Sequence, residues 1–202
     1  MPTATYWTER YRTNKTGWDV GGVTPAFQLF FDKIQNKDTP ILIPGCGNAH
    51  EAHYLLQKGF TNITLVDISA YLVEKLQDEL KESIEKGVCQ VICADFFSLQ
   101  GQFDLIFEQT FFCALDPSLR STYCQKMCEL LSVNGRLVGL LFDRQFQGGP
   151  PFGGSKEEYL TLFSSFFLIH SLTPCTHSIP ARAGTELWFE VSPLSPSLSI
   201  KS

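Results

Sequence analysis

Gly45 and Gly47, separated only by Cys46, close a short apolar run, and Asp67 follows about twenty residues later. Glycines let a backbone turn tightly and come close to a ligand, and an acid at that distance is where a doubly wound fold offers a carboxylate to ribose hydroxyls. Gly45-Cys46-Gly47 alone fits any tight turn. Joined to Asp67 it points to a crevice for a nucleoside, with Asp67-Ile68-Ser69 as a simple helix cap the competing reading. The turn continues Asn48-Ala49-His50 and lacks the third glycine that a dinucleotide pyrophosphate needs. That argues against NAD or FAD, although a nicotinamide-dependent oxidoreductase stays as a competing class. It favours S-adenosylmethionine, which carries an amino-acid end in place of phosphate and tolerates a shorter turn.

Two further segments add to the same chemistry. Ala94-Asp95-Phe96-Phe97 sets an acid beside aromatics, so that Asp95 can accept from an exocyclic amine and Phe96 can offer a face or edge to adenine; an acidic turn before core aromatics is the alternative. Glu108-Gln109-Thr110 is a polar triplet between apolar residues. At a strand's carboxyl end it is expected over the middle of the crevice, where sulfonium and nucleophile meet, unless it caps the next helix. Glu108 and Gln109 are therefore the candidate positioning residues of the reaction, with Glu108 also a cofactor contact. His50-Glu51-Ala52-His53 resembles a zinc-protease motif, but with two intervening residues instead of three, and no metal site is expected.

Elements that can position these residues are legible in the rest of the chain. From about residue 40, short apolar runs alternate with helical patterns between Gly, Pro, Asn and Asp, the signature of an α/β fold with a parallel sheet covered on both faces. Strands are expected at 41–43, 63–66, 88–93, 105–107 and 136–142. A helix over 70–85 opens at Ser69, with Leu72, Val73, Leu76, Leu80 and Ile84 at helical spacing, and another spans 118–131. Gln147 to Gly154 is a Gly- and Pro-rich loop, followed by a helix over 156–163, a run over 166–172 and a last, antiparallel strand over 186–191. A Pro- and Ser-rich tail after Pro193 is expected to fray.

Composition narrows the partners. With 202 residues and 44% hydrophobic content, one domain with a substantial core is expected. A net charge of -5 leaves no basic footprint for nucleic acid. The apolar runs fall well short of the roughly 20 residues of a membrane helix. Seven cysteines without framework spacing, and an N-terminus without secretory features, suggest a reducing cytoplasm. Cys46 reads as a size choice in the turn, not a nucleophile.

Together, Gly45-Cys46-Gly47, Asp67, Asp95-Phe96-Phe97 and the aromatic run after Glu108 resemble class I S-adenosylmethionine-dependent methyltransferases of Rossmann-like fold. More narrowly the chain resembles the thiopurine S-methyltransferase family, which also holds thiol, halide and thiocyanate methyltransferases. The specific marks are Trp7-x-x-Arg10-Tyr11, Thr16-Gly17-Trp18-Asp19, Phe111-Phe112-Cys113-Ala114-Leu115, Gly148-Gly149-Pro150-Pro151-Phe152 and Ile179-Pro180-x-Arg182-x-Gly184.

The resemblance implies that residues 1–25 cover the cofactor, with Trp7, Tyr11 and Trp18 as aromatic faces beside a sulfonium. It implies cofactor contacts at Gly45, Cys46, Gly47, Asp67, Ile68, Asp95, Phe96 and Glu108, and an acceptor pocket shaped by Gln109, Phe112, Phe142, Pro151 and Phe152. Relatives that methylate halides and thiols often carry Tyr at the positions of Gln109 and Phe142; its absence argues against a halide. The expected activity is methyl transfer from S-adenosyl-L-methionine to a small soft nucleophile, foremost a thiol, leaving S-adenosyl-L-homocysteine and using no metal. Halide or thiocyanate methylation, and a cofactor-binding module without turnover, are the alternatives. The expected partner is a small-molecule substrate, and the expected state a monomer or weak homodimer.

Overall fold

The apolar runs bounded by turn residues fold as strands, and the periodic segments between them fold as helices. A computed structural model of the chain describes residues 2–194; most of the tail expected to fray, 195–202, lies outside the described residues. Two compact units divide the chain: Met1–Leu99 with Thr176–Ala183, and Gln100–Cys175 with Gly184–Ser202.

In the first unit, α1 (Ala4–Arg12) starts at Thr3, whose hydroxyl accepts from the Tyr6 amide at 3.3 Å, and ends with Arg10 and Arg12 in its last turn, where cations complement the helix dipole. α2 (Pro25–Phe31) follows Thr24 with proline at its first position and buries Ala26, Phe27 and Phe31. β1 (Ile41–Pro44) is wholly buried and leads through the glycine turn into α3 (His50–Gln57). β2 (Ile63–Asp67), likewise buried throughout, is followed by α4 (Ala70–Glu79), α5 (Lys81–Glu85) and β3 (Cys89–Cys93). The strands lie in the order β3-β2-β1 with parallel pairing, Ile41 opposite Ile63 and Ile63 opposite Cys89.

The helix expected over 70–85 is two helices. The backbone leaves helical torsions at Leu80 (φ -102°, ψ 13°), and α5 has only half-buried Ile84 as an apolar anchor, where α4 buries Leu72, Val73 and Leu76.

In the second unit, β4 (Phe103–Gln109) pairs in parallel with β5 (Leu131–Phe142), separated by α6 (Arg120–Leu130). α7 (Lys156–Ser164), β6 (Phe167–Pro174) and β7 (Glu186–Pro193) complete it in the order β4-β5-β7-β6, with β7 antiparallel to both its neighbours. The strands are thus mostly parallel with antiparallel C-terminal strands, as expected. β5 begins five residues before the expected 136, because the register with β4 slips between Phe103 and Leu105 and accommodates the polar Asn134-Gly135 stretch. Gly139 has a packing reason to be glycine: a Cβ there would strike the Glu108 carbonyl and the Phe189 ring. α7 opens with a full capping box between Ser155 and Glu158.

Phe163 is fully buried and packs against Phe112, Tyr159, Phe167 and Phe189 with ring centroids between 5.4 and 6.2 Å. Phe163→Ala is expected to cost about 3–5 kcal/mol, read in urea unfolding as a lower midpoint with little change in slope.

Candidate functional site

The glycine turn takes left-handed torsions at Gly45 (φ 57°), Gly47 (φ 53°) and the non-glycine Ala49 (φ 54°). Its chain direction is fixed from β2: the Cys46 amide donates to the Val66 carbonyl at 3.1 Å, and the Gly47 amide donates to Asp67 Oδ2 at 3.4 Å. Asp67 Oδ1 accepts from the Ser69 amide at 2.9 Å. The carboxyl is buried, and desolvation pushes its pKa up to about 6 against these amide hydrogen bonds. Ser69 also caps α4 through the Leu72 amide at 3.4 Å, so the helix-cap reading and the ligand reading of Asp67-Ile68-Ser69 are compatible. A carboxylate has about four lone-pair sites, so Asp67 keeps capacity for hydroxyl donors after binding both amides. That capacity fits a ribose diol.

The aromatic segment lies over this turn. The Tyr11 hydroxyl oxygen comes within 3.4 Å of the point where a Cβ would stand on Gly47. Burial first, and then the neighbouring Asp67 carboxylate, drive its ionisation far up, so the phenol stays a neutral donor. Trp18 meets Trp7 edge to face at 5.4 Å and Tyr11 at 5.8 Å. Thr8 of α1 shares a 3.0 Å hydrogen bond with the Ser69 hydroxyl, joining the first helix to the β2 turn. Arg10 brackets Tyr6 with 2.7 and 3.1 Å bonds to its hydroxyl. Arg182, in the short Pro180–Arg182 turn, donates to the Trp18 carbonyl at 2.7 Å, so the N-terminal and C-terminal motifs of the family resemblance meet.

Asp95 stands at the neighbouring strand end, since the Ala94 amide donates to the Asp67 carbonyl at 3.1 Å. One Asp95 oxygen accepts from the Phe97 amide at 2.9 Å, and the residue is exposed, whereas Phe96 is buried against Phe97. Cys46 is buried and its thiol is held far above its ordinary range by that burial and by Asp67, which suits packing over nucleophilic chemistry.

One polar group that sequence reading passed over is Asp19. Its Oδ1 accepts from the Gly21 amide at 2.7 Å and lies 2.8 Å from His50 Nε2, while its Oδ2 accepts from Asn48 Nδ2. Burial raises its pKa, but the bonds from Asn48, Gly21 and His50 outweigh that and hold the carboxyl below its ordinary range. The only signal in sequence was the conjunction of Asp19 in one motif with the polar Asn48 and His50 after another.

In the second unit, Glu108 is 1% exposed near the end of β4. Its Oε1 accepts from the Phe111 and Phe112 amides at 2.9 and 2.6 Å, and burial pushes its pKa up to about 7. It orders a turn in which Thr110, a β-branched residue, adopts φ 61°, a strained conformation of the kind found at functional sites. Phe112 is buried within an aromatic cluster with Tyr123 and Tyr159 and lies under the Arg120 guanidinium at 5.0 Å, so it supports the turn from the core. Arg120 Nη2 also donates to the Gly153 carbonyl at 2.6 Å, and the Phe152 amide donates to the Cys113 carbonyl at 2.6 Å; the Gly-Pro loop is thereby tied to the turn after β4. Gln109 and Phe142 are half-buried and Pro151 is exposed. Asp143, just after β5, accepts from the Lys156 amide at 3.1 Å at the start of α7.

This arrangement, with a glycine turn after the first strand and acids ending the next two, is that of a class I methyltransferase. A solved structure of a 1,6-didemethyltoxoflavin-N1-methyltransferase from Burkholderia thailandensis, with 1,6-didemethyltoxoflavin and S-adenosylhomocysteine bound, matches with a TM-score of 0.73 at 17% identity, covering 95% of this chain and 87% of that one. The family profile described as Thiopurine S-methyltransferase matches residues 2–185. The chain belongs to that family and is an S-adenosylmethionine-dependent methyltransferase. Among relatives, a probable thiol methyltransferase 2 of Arabidopsis thaliana is 30% identical over 156 residues, covering 76% of this chain and 69% of the relative. A thiopurine S-methyltransferase of Pseudomonas putida is 27% identical, over 80% of this chain and 82% of its own.

Asp67 and Glu108 both titrate higher in the fold than in an unfolded chain, at about 6 and about 7. The native state therefore holds more protons, and the stability these groups contribute is full below about pH 4 and is lost as pH rises through 6 to 7. Glu108→Gln removes one such group. Relative to wild type it is expected to gain about 2 kcal/mol between pH 5 and pH 8 in urea unfolding; a gap that does not move with pH would contradict the burial argument.

Proposed function

We propose that this enzyme methylates the sulfur of a small thiol, and that it is a single methyltransferase domain of the cytoplasm, monomeric or weakly dimeric. The observation that carries the site assignment is the buried Asp67 carboxylate, braced by the Gly47 and Ser69 amides beneath Tyr11. The uninterrupted family match over 2–185 supports one domain. The thiol acceptor is supported by the plant relative named as a probable thiol methyltransferase. Among the described residues no helix is long and apolar enough to cross a membrane.

S-adenosylmethionine brings an activated methyl group on a sulfonium with a good leaving group already in place. What remains for the protein is alignment, which can supply about 7–11 kcal/mol in favourable cases. Asp67 accepts from the ribose hydroxyls, with Gly45, Gly47, Cys46 and Ile68 forming the surrounding wall. Asp95 offers its exposed oxygen to the adenine amine, and Phe96 backs it. Trp7, Tyr11 and Trp18 present aromatic surface to a cation and exclude water that would solvate the nucleophile. Glu108 positions the Thr110 to Phe112 turn through its amides, and Gln109, Phe142, Pro151 and Phe152 shape the acceptor side. The thiol reacts as its thiolate, so an acceptor of lower pKa presents more of the reacting form.

Incubation with methyl-labelled S-adenosylmethionine and a panel of thiols, thiopurines, thiocyanate and iodide tests this. S-adenosylhomocysteine is expected to form fastest with a thiol, and Asp67→Asn to raise the cofactor KM at least about tenfold. Tight cofactor binding with no methylated product from any acceptor would leave a binding module in place of an enzyme.

A further inference from the structure

Asp19, in the loop that carries Trp18, and Asn48 and His50, just past the two glycines, have no part in the reaction as proposed above, yet they join the two segments. The Asp19 side chain is 16% exposed and gathers hydrogen bonds from separate sources: the Gly21 amide of its own loop at 2.7 Å, Asn48 from the end of the glycine turn, and His50, the first residue of α3, at 2.8 Å. The Asp19 amide donates to the Thr16 carbonyl at 2.8 Å, which closes the loop that carries Trp18. Asn48 is held in turn by Lys75 Nζ at 3.2 Å from its Oδ1, and Lys75 lies 3.6 Å from Glu79 on the same helix. Trp18, next in sequence to Asp19, has its ring set edge-on to both Trp7 and Tyr11.

We propose that Asp19, Asn48 and His50 are positioning residues that fasten the Trp18 loop to the glycine turn and so set the affinity and residence time of S-adenosylmethionine. The inference rests on the reading of Trp7, Tyr11 and Trp18 as the cofactor's cover. No bond from Asp19 to the cofactor is required. The carboxylate acts by keeping the Trp18 ring where its contacts with Trp7 and Tyr11 are made, and releasing it loosens a loop that Arg182 on the Trp18 carbonyl and Arg10 on the Lys15 carbonyl also restrain. Hydrogen bonds to a charged group are worth about 1.5–3 kcal/mol, so loss of the fastening corresponds to about tenfold or more in affinity.

The test compares wild type with Asp19→Ala, His50→Ala, His50→Gln and the Asp19→Ala/His50→Ala double variant, using the whole chain. Cofactor binding is measured by calorimetry, and dissociation by stopped-flow tryptophan fluorescence. Asp19→Ala is expected to raise the S-adenosylmethionine Kd about tenfold, mostly through faster release, and His50→Ala by a few-fold. His50→Gln keeps a donor near the position of Nε2 and is expected to stay within about twofold of wild type. The double variant is expected to be no worse than Asp19→Ala, because both act through one contact. With saturating cofactor and thiol, kcat is expected to change little while the cofactor KM follows Kd. If Asp19→Ala and His50→Ala are folded by circular dichroism and release cofactor at the wild-type rate, the inference is overturned. It is equally overturned if His50→Gln is as impaired as His50→Ala. Should Asp19→Ala fail to fold, the two His50 variants decide. If wild type itself binds no S-adenosylmethionine, the cofactor reading falls and this one with it; normal wild-type binding with unchanged variants sinks only the role of Asp19, Asn48 and His50.

Discussion

A carboxylate taken out of water at the end of β2 organises the first unit. Asp67 is buried, and that burial is tolerable because backbone amides of the glycine turn and of the α4 start point at its oxygens. Ser69, placed by one of those amides, spends its hydroxyl on the α4 cap and on Thr8 of the first helix. A single acid thus gives three segments, distant in sequence, a common point of reference. An apolar residue in its place would leave the amides of Gly47 and Ser69 to find other partners in a buried setting, which costs more than the bonds themselves contribute.

Glu108 repeats the device in the second unit. It too sits near the end of a largely buried strand and accepts amides from the turn that follows, and desolvation likewise pushes its proton affinity up. The consequence differs, because the turn it orders carries Thr110 in a left-handed conformation and delivers Phe112 into an aromatic cluster capped by Arg120. Arg120 then reaches Gly153, so a buried acid near one strand end and a cation on α6 jointly fix a loop with little regular structure of its own. The positions that do chemistry in such folds, strand ends and the loops beyond them, are here held by polar groups whose own bonding is local.

Most of the strands and the start of α4 were legible because their signals are short-range. β1 and β2 read as nearly continuous apolar runs, broken only by Thr64, and Ser69 caps as a serine before a periodic segment should. The division at Leu80 was hidden because Leu76, Leu80 and Ile84 keep helical spacing across the break in torsions at Leu80. α2 went unread although Thr24-Pro25 marks a helix start, since the Phe-rich run after it suits a strand as well. Gly45, Gly47, Asp67 and Asp95 have a fixed spacing in the sequence, and the fold does bring the glycine turn to Asp67, with Asp95 at the next strand end. Asp19 with His50 could not be read from spacing, because 31 residues separate them and only the folded chain makes them neighbours.

The bond from Arg182 to the Trp18 carbonyl joins residues 164 positions apart. A polypeptide emerges from the ribosome amino end first, and its early segments begin to fold before the late ones exist. The first unit can therefore assemble its parallel strands and glycine turn before the segment that returns to it, Thr176–Ala183, has been made. During that interval the aromatic segment is present without the bond from Arg182, so the Trp18 carbonyl waits for a partner made 164 residues later.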